Sequence, residues 1–181
     1  MDQKEYPVLY AGKMSFLNLG GVDIGALESH SGSIGFLRGI KVHRSIYHCH
    51  YALSEDLKRV DAMMVVSHDY EGDTLIANEP IGSFYVGLSG IVGFFSSPKK
   101  EYTMKQLGEY LAQLDKEHTG RAWHVLNSKQ FMAPCSQGPA TKVIVYAHRD
   151  RYGDVDALQI EFNRKEGELL SKGGEIADGE K

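Results

Sequence analysis

Ser31-Gly32-Ser33-Ile34-Gly35-Phe36 and Ser89-Gly90-Ile91-Val92-Gly93-Phe94 repeat one pattern, Ser-Gly-x-x-Gly-Phe, in two parts of the chain. Glycine at this spacing inside an apolar run is typical of a strand that bends, carries a bulge or lets another backbone approach closely. The pattern is unfavourable in a helix, where each glycine costs about 1 kcal/mol relative to alanine. The repeat therefore predicts that both segments are bent, neighbouring strands of an antiparallel β scaffold.

One helix is predicted, over residues 103–118. Thr103 and Gln106 have the spacing of a capping box, in which each side chain bonds the backbone N–H of the other residue. An apolar stripe at i, i+3 and i+4 spacing follows. Its members are Met104, Leu107, Leu111 and Leu114. We therefore expect an α+β fold: a mainly antiparallel β-sheet, as a sandwich or half-barrel, packed by this one amphipathic helix.

Short apolar segments on both sides of the helix are predicted to be strands. They are residues 6–10, 13–19, 40–51, 62–68, 74–77, 82–88, 90–95, 122–126, 141–147 and 155–162. The segments 82–88 and 90–95 are expected to pair with each other, as are the last two. A single helical turn is predicted at Ser54–Leu57, and a loop at Met132–Pro139. We expect one globular domain over residues 1–162 and a disordered, charged tail over residues 163–181.

Composition limits the function classes. The 181 residues carry a net charge of −4, so no overall basic field attracts nucleic acid. No apolar run approaches the ~18 residues that a membrane span needs, and no export signal is recognisable. The two cysteines, Cys49 and Cys135, are therefore read as free thiols. We expect a cytoplasmic protein that binds neither nucleic acid nor membranes.

A second repeat concerns two acidic turns. Val65-Val66-Ser67-His68 leads into a turn that ends in Gly72-Asp73, and Val145-Tyr146-Ala147-His148 leads into one that ends in Gly153-Asp154. One reading is that Gly-Asp simply makes good hairpin turns, with solvated carboxylates. The alternatives are a real duplication of the segment, or paired loops at one edge of the sheet that form a site. The candidate binding residues of that site are His68, Asp69, Asp73, Asp150 and Asp154.

A metal site is an alternative for the histidines, of which the chain has eight. His48 and His50 share one face if their segment is a strand, so both imidazoles could meet one zinc ion. His43 falls on the opposite face by parity, and a third ligand must therefore come from elsewhere. The competing reading is that these are hydrogen-bonded structural histidines. The main expectation is no cofactor, with zinc as the alternative.

Cys135 is the candidate nucleophile. It lies between two prolines in a segment that is predicted to be a loop, where a thiolate would be exposed. A nucleophilic cysteine needs a neighbouring base, and His148 and His124 are the candidates for that role. The competing reading is a loop thiol without a role.

The run Val86–Phe95 and the closing hairpin Gly153–Phe162 resemble an uncharacterised family of small bacterial β-rich proteins. That family has a Val-Asp-Ser-Gly strand followed by Gly-Phe-Phe, and it ends in a hairpin that contains glycine. At the Asp-Ser-Gly position this chain has Leu88-Ser89-Gly90, without the acidic residue. The resemblance implies a compact β-rich fold and carries over no functional residues.

Without a complete catalytic set, we expect a non-enzymatic binding or interaction protein. It would recognise a protein or small-molecule partner at a loop edge or sheet face. The ten tyrosines are compatible with a contact surface. Exposed strand edges would also favour a homo-oligomer. The alternative is a small hydrolase that depends on a metal at His48 and His50 or on the thiol of Cys135.

Overall fold

The computed structural model describes residues 8–16, 21–70, 79–118 and 122–162. Within these ranges the chain forms eleven strands and one helix. The strands are β1 (Val8–Phe16), β2 (Val22–Ala26), β3 (Leu37–Ile40), β4 (Ser45–Leu53), β5 (Val60–Ser67), β6 (Glu79–Tyr85), β7 (Ile91–Ser96), β8 (Val125–Asn127), β9 (Gln130–Pro134), β10 (Lys142–Arg149) and β11 (Val155–Glu161). The helix α1 is Met104–Glu117. No helix in the described part of the chain is long and apolar enough to cross a membrane.

The strands form two antiparallel sheets. One has six strands in the order β1-β4-β5-β11-β10-β6, and the other has five in the order β3-β2-β7-β9-β8. Strand β1 lies against β8, and β6 lies against β3 and β2, so the edges of the first sheet meet the second sheet. The predicted α+β fold, a mainly antiparallel β structure with one helix, is confirmed, and its form is a sandwich.

The main core lies between the sheets. Strand β10 shows why, because Val143, Val145 and Ala147 are buried while Lys142 and Ile144 on the other face are exposed. This alternation is the sequence pattern of a strand with one face on a core. The largest fully buried side chains of the main cluster are Phe16, Tyr47, Phe84, Phe94 and Phe131. Burying each such side chain contributes about 1.5–3 kcal/mol.

The helix covers the outer face of the five-stranded sheet. Its predicted capping box is present, since the Thr103 hydroxyl accepts from the backbone N–H of Gln106 and the Gln106 side chain accepts from that of Thr103. Leu114 is buried against a cluster that includes Phe95 and Met132. Met104, predicted on the apolar stripe, is 92% exposed and lies outside this contact. The contact therefore begins one turn into the helix.

The two glycine repeats have different structures. Ser31–Phe36 consists of turns, and β3 begins only at Leu37, so the predicted strand is wrong for the first copy. Gly35 has a φ of +77° and lies against the backbone of β6, a conformation that favours glycine. In the second copy Gly93 is inside β7, as predicted. Strand β3, which follows the first copy, and β7, which contains most of the second, lie on either side of β2, so they are not the direct neighbours that were predicted.

Several boundaries were predicted incorrectly. Strands β6 and β7 do not pair with each other, because they belong to different sheets. Segment 40–51 is interrupted, since β3 ends at Ile40 and β4 starts at Ser45. Residues 132–134 of the expected proline-rich loop belong to β9, which pairs with β7. In contrast, β1 is one strand with a bulge after Tyr10 instead of two separate strands.

The predicted helical turn at Ser54–Leu57 is also wrong. The Asp56 carboxylate accepts from the Ser54 hydroxyl at 2.7 Å and from the Lys58 N–H at 2.9 Å, which makes a local turn. Leu57 then takes a left-handed φ of +61°, which ends any helical geometry. The predicted strand at 74–77 and the predicted disordered tail at 163–181 lie outside the described residues.

Gly93 provides a test of the sandwich packing. A Cβ at this position would lie 2.3 Å from the carbonyl oxygen of Phe131, a backbone atom that a side-chain rotation cannot move. We expect Gly93→Ala to lower the free energy of unfolding by about 3 kcal/mol, measured by chemical denaturation. Gly108→Ala is the matched control, because Gly108 is exposed in α1 and a Cβ there meets nothing within 4 Å. That variant should be stabilised by up to about 1 kcal/mol. Equal effects of the two substitutions would contradict the packing.

Candidate functional site

A cavity of about 420 Å³ opens at one end of the sandwich. Its histidine and aspartate lining is His43, Asp69, His148, Asp150, Asp154 and Asp156, and we call this set the acidic cavity. Arg149, Arg151 and Tyr152 complete the lining. Both acidic turns contribute to it, since Asp69 follows β5 and residues 150–154 connect β10 to β11, and Asp156 lies at the beginning of β11.

Antiparallel pairing explains why these distant segments meet. In the six-stranded sheet Tyr47 pairs with Ser67, so the beginning of β4 lies beside the end of β5. Ala157, near the beginning of β11, pairs with Val66 on one side and with His148 on the other. The connections at these strand ends therefore lie at the same end of the sheet. The geometry brings Asp69, Asp150 and Asp154 together, as the paired-loop reading expected, whereas Asp73 lies outside the described residues.

His43 joins the two turns. Its Nε2 lies 3.1 Å from Oδ2 of Asp69. Its backbone N–H donates to the carbonyl of Val155 at 2.6 Å, and its own carbonyl accepts from the Tyr47 hydroxyl at 2.6 Å. The backbone of His43 is thus fixed while its ring lines the cavity. Sequence reasoning placed His43 on the opposite face because it assumed an unbroken strand over 40–51, and the interruption at residues 41–44 makes that parity count invalid.

His148 and Asp156 form a second pair, with 2.6 Å between Nδ1 and Oδ1. Asp156 is the additional residue of a β-bulge, because Arg149 pairs with Val155 while His148 pairs with Ala157. A bulge redirects a side chain, and here it allows the carboxylate to reach His148. The Asp156 side chain is only 4% exposed. Burial raises the pKa of this carboxyl, and the hydrogen bond with His148 opposes the rise.

Asp150 organises the β10–β11 turn. Its Oδ1 accepts from the backbone N–H groups of Tyr152 at 2.8 Å and Asp154 at 3.0 Å. Partial desolvation would raise the pKa of Asp150, but these N–H donors and the nearby His43 outweigh it, so the pKa is lowered. Asp150 therefore carries a negative charge at neutral pH.

Negative charge predominates in the acidic cavity. Four aspartates line it, whereas Arg149 is held by Glu79 at 2.7 Å and the guanidinium of Arg151 lies 5.1 Å from the ring centre of Tyr152. Ligand atoms of His43, Asp150 and Asp154 all lie within 4.8 Å of one another. In the described ranges this is the one group of three or more such residues close enough to hold a metal ion.

His48 and His50 lie elsewhere, on the outer face of the six-stranded sheet, because Tyr47 and Cys49 fill the inner face of β4. Both ring nitrogens of His48 form hydrogen bonds. Nδ1 is 3.0 Å from the Tyr10 hydroxyl, and Nε2 is 3.2 Å from Nδ1 of His68. His68, predicted to bind at the acidic turns, therefore contacts His48 and does not line the cavity. The described residues supply no third metal ligand to the predicted pair His48 and His50.

The predicted pairing of Cys135 with His148 is wrong. Cys135 forms an isolated bridge with Val60, at the beginning of β5, whereas His148 lies level with Val66. Six residues of strand separate these levels, or about 20 Å. Cys135 is 2% exposed, and its thiol donates to the carbonyl of Gln137 at 3.5 Å. Burial raises the pKa of this thiol, which opposes a nucleophilic role.

Comparison with family models, curated proteins and solved structures found no match. The resemblance of segments 86–95 and 153–162 to a family of small bacterial β-rich proteins therefore stays a prediction.

The thiols give a direct test of the buried positions. Cys49 and Cys135 are both unpaired and buried, and burial raises the pKa of Cys49 to about 12. We expect neither thiol to react with DTNB (a thiol-specific disulfide reagent) at pH 8 in the folded protein, and both to react after unfolding in guanidinium chloride. If a thiol does react in the folded protein, the Cys135→Ser variant shows which of the two cysteines is responsible. A fast-reacting Cys135 in the folded protein would contradict the burial and reopen the nucleophile hypothesis.

His48 gives a test by pH. Burial lowers its pKa below the usual 6.5, and Lys13 and His68 lower it further. Because the unfolded chain then binds a proton more readily than the folded one, His48 should lower stability as the pH falls through 6.5. NMR titration of the imidazole should give a midpoint below 6.5, and Lys13→Gln should raise it. A midpoint that Lys13→Gln leaves unchanged would exclude the predicted charge effect.

Proposed function

We propose that this protein is a non-enzymatic binding protein and that the acidic cavity holds a positively charged group of a small-molecule or protein partner. The observation that carries the proposal is the convergence of four aspartates on one cavity: three from two sequence-distant turns and Asp156 from the beginning of β11. Carboxylates in a concave site attract a cation, and a guanidinium can bond a carboxylate through two parallel N–H groups. Tyr152, which is 76% exposed at the rim, offers an aromatic face beside them.

The location of the proposed partner interaction agrees with the loop-edge reading of the sequence. Two unpaired cysteines are typical of proteins in a reducing compartment, so we retain a cytoplasmic location as part of the proposal. The proposal includes neither nucleic acid nor membranes as partners, because an acidic site repels phosphate groups.

Of the two hydrolase hypotheses, one has residues that could support it. The thiol-dependent hydrolase is not supported by the predicted pair, because Cys135 and His148 lie at different ends of the sheet. A metal-dependent hydrolase would now depend on His43, Asp150 and Asp154 instead of His48 and His50. It is the second candidate. Hydrolysis of a p-nitrophenyl ester that rises with added zinc and is lost in His43→Gln would favour it over binding alone.

The binding proposal is tested with the amide of L-arginine as probe, followed by NMR chemical shifts of the backbone. We expect saturable shifts at Asp69 and at residues 150–156. Asp69→Asn and Asp154→Asn should each weaken binding about tenfold, which corresponds to about 1.4 kcal/mol. The matched control is Asp115→Asn, an exposed position on α1 that changes the net charge equally.

Two results would contradict the binding proposal. One is the absence of saturable shifts at the acidic cavity. The other is an equal loss of affinity in Asp115→Asn, because the probe would then respond to overall charge and not to this site. Circular dichroism spectra of the variants verify that each one keeps the fold.

A further inference from the structure

Three ligand-bearing side chains meet in the acidic cavity from two separate connections. His43 comes from the link between β3 and β4, and Asp150 and Asp154 come from the turn between β10 and β11. Each offers a ligand atom within 4.8 Å of the other two. Small side-chain rotations would bring these atoms to the roughly 2.0–2.2 Å at which imidazole nitrogens and carboxylate oxygens bind zinc. The register of the six-stranded sheet thus brings His43 to two aspartates that lie more than a hundred positions further along the chain.

We propose that His43, Asp150 and Asp154 bind one divalent transition-metal ion in the acidic cavity. This inference rests on the proposed function, because the ion would be a cation that the cavity accepts. A ring nitrogen and carboxylate oxygens form a donor set that suits Zn²⁺, whereas Ca²⁺ and Mg²⁺ prefer oxygen ligands alone. Three protein ligands leave a fourth tetrahedral position to water or to a group of the partner.

The surroundings of His43 support a metal ligand. Its Nε2 lies 3.1 Å from Asp69 Oδ2, and with the proton on Nε2 the lone pair is on Nδ1. A metal-binding histidine commonly donates its other N–H to a carboxylate, which fixes the ring and makes the ligand more basic. Its backbone is held by Val155 and Tyr47, so the ring starts from an ordered position.

The charge balance points in the same direction. Arg149 is engaged by Glu79 and by the carbonyl of Gly153, and Asp156 is paired with His148. The Asp150 carboxylate is bonded by the backbone N–H groups of Tyr152 and Asp154, which are neutral donors. A divalent ion would neutralise the carboxylates of Asp150 and Asp154.

The histidine pair on the outer face is the natural comparison. His48 and His68 place two ring nitrogens 3.2 Å apart, but the described residues add no third ligand there. The pair therefore provides a matched control, since it offers imidazoles of the same chemistry without the carboxylates. Zinc at His48 would instead agree with the alternative metal site that the sequence predicts at His48 and His50.

The experiment is isothermal titration calorimetry of tag-free protein with zinc chloride, together with the visible absorption of bound Co²⁺. We expect one zinc ion per chain. His43→Gln and Asp154→Asn should each weaken zinc binding at least tenfold, because even residues that only orient a metal ligand contribute about 10- to 100-fold in affinity. Asp150→Asn should weaken it as well while keeping the Oδ1 acceptor that holds the turn. His48→Gln should leave the affinity unchanged.

The outcomes separate the metal site from the proposed function. Zinc that does not bind saturably, or zinc that is lost in His48→Gln and retained in His43→Gln, would overturn the metal site. If zinc does not bind saturably but arginine amide does, the metal site is wrong and the proposed function stands. Unchanged Co²⁺ absorption in His43→Gln would also overturn the assignment, and unchanged circular dichroism verifies that a loss in any variant is not a loss of fold.

Discussion

The buried hydroxyl of Tyr47 connects the sandwich core to the acidic cavity. It donates to the carbonyl of His43 at 2.6 Å, and the carbonyl of Val155 lies 3.3 Å away. The N–H of His43 donates to that same Val155 carbonyl. Burial raises the pKa of Tyr47, and the nearby aspartates raise it further, so the phenol stays a neutral donor. Losing such a donor leaves buried acceptors unpaired, at about 1–3 kcal/mol.

This contact joins two segments that are far apart in the sequence. The link before β4 and the beginning of β11 are far apart in sequence, and the ladder β4-β5-β11-β10 brings them to one end of the sheet. The hydrogen bond from Tyr47 then fixes the position of the His43 backbone relative to these strands. The bulge at Asp156 adds the buried carboxylate from the same strand end. The positions of His43 and Asp156 therefore follow from the register of the paired strands.

Features that depend on local chemistry were predictable from the sequence. The capping box of Thr103 and Gln106 is complete within four residues, and the β10–β11 hairpin needs only its turn and two apolar strands. The two acidic turns could be named for the same reason. The contribution of His43 could not, because a four-residue interruption between β3 and β4 reverses the parity on which the prediction relied.

Features that depend on long-range packing were predicted less well. The two Ser-Gly-x-x-Gly-Phe repeats share letters and differ in structure, because Gly35 adopts a left-handed turn against β6 whereas Gly93 lies under the backbone of β9. Cys135 follows a similar logic. Its prolines indicate an exposed loop, but Pro134 pairs with Ile91 and the thiol is drawn into the core. The composition of a segment cannot reveal a pairing partner that lies forty positions away.

The electrostatic cost of the acidic cavity is confined to one end of the sandwich. Like charges close together are unfavourable, and here backbone N–H groups at Asp150 and the imidazole of His148 at Asp156 offset part of the repulsion. The apolar core between the sheets contains none of these groups, so its packing does not depend on their ionisation. A ligand that binds only the folded state adds stability by mass action. A cation in the cavity would thus relieve the repulsion where it arises, while the sandwich maintains the geometry that the cation recognises.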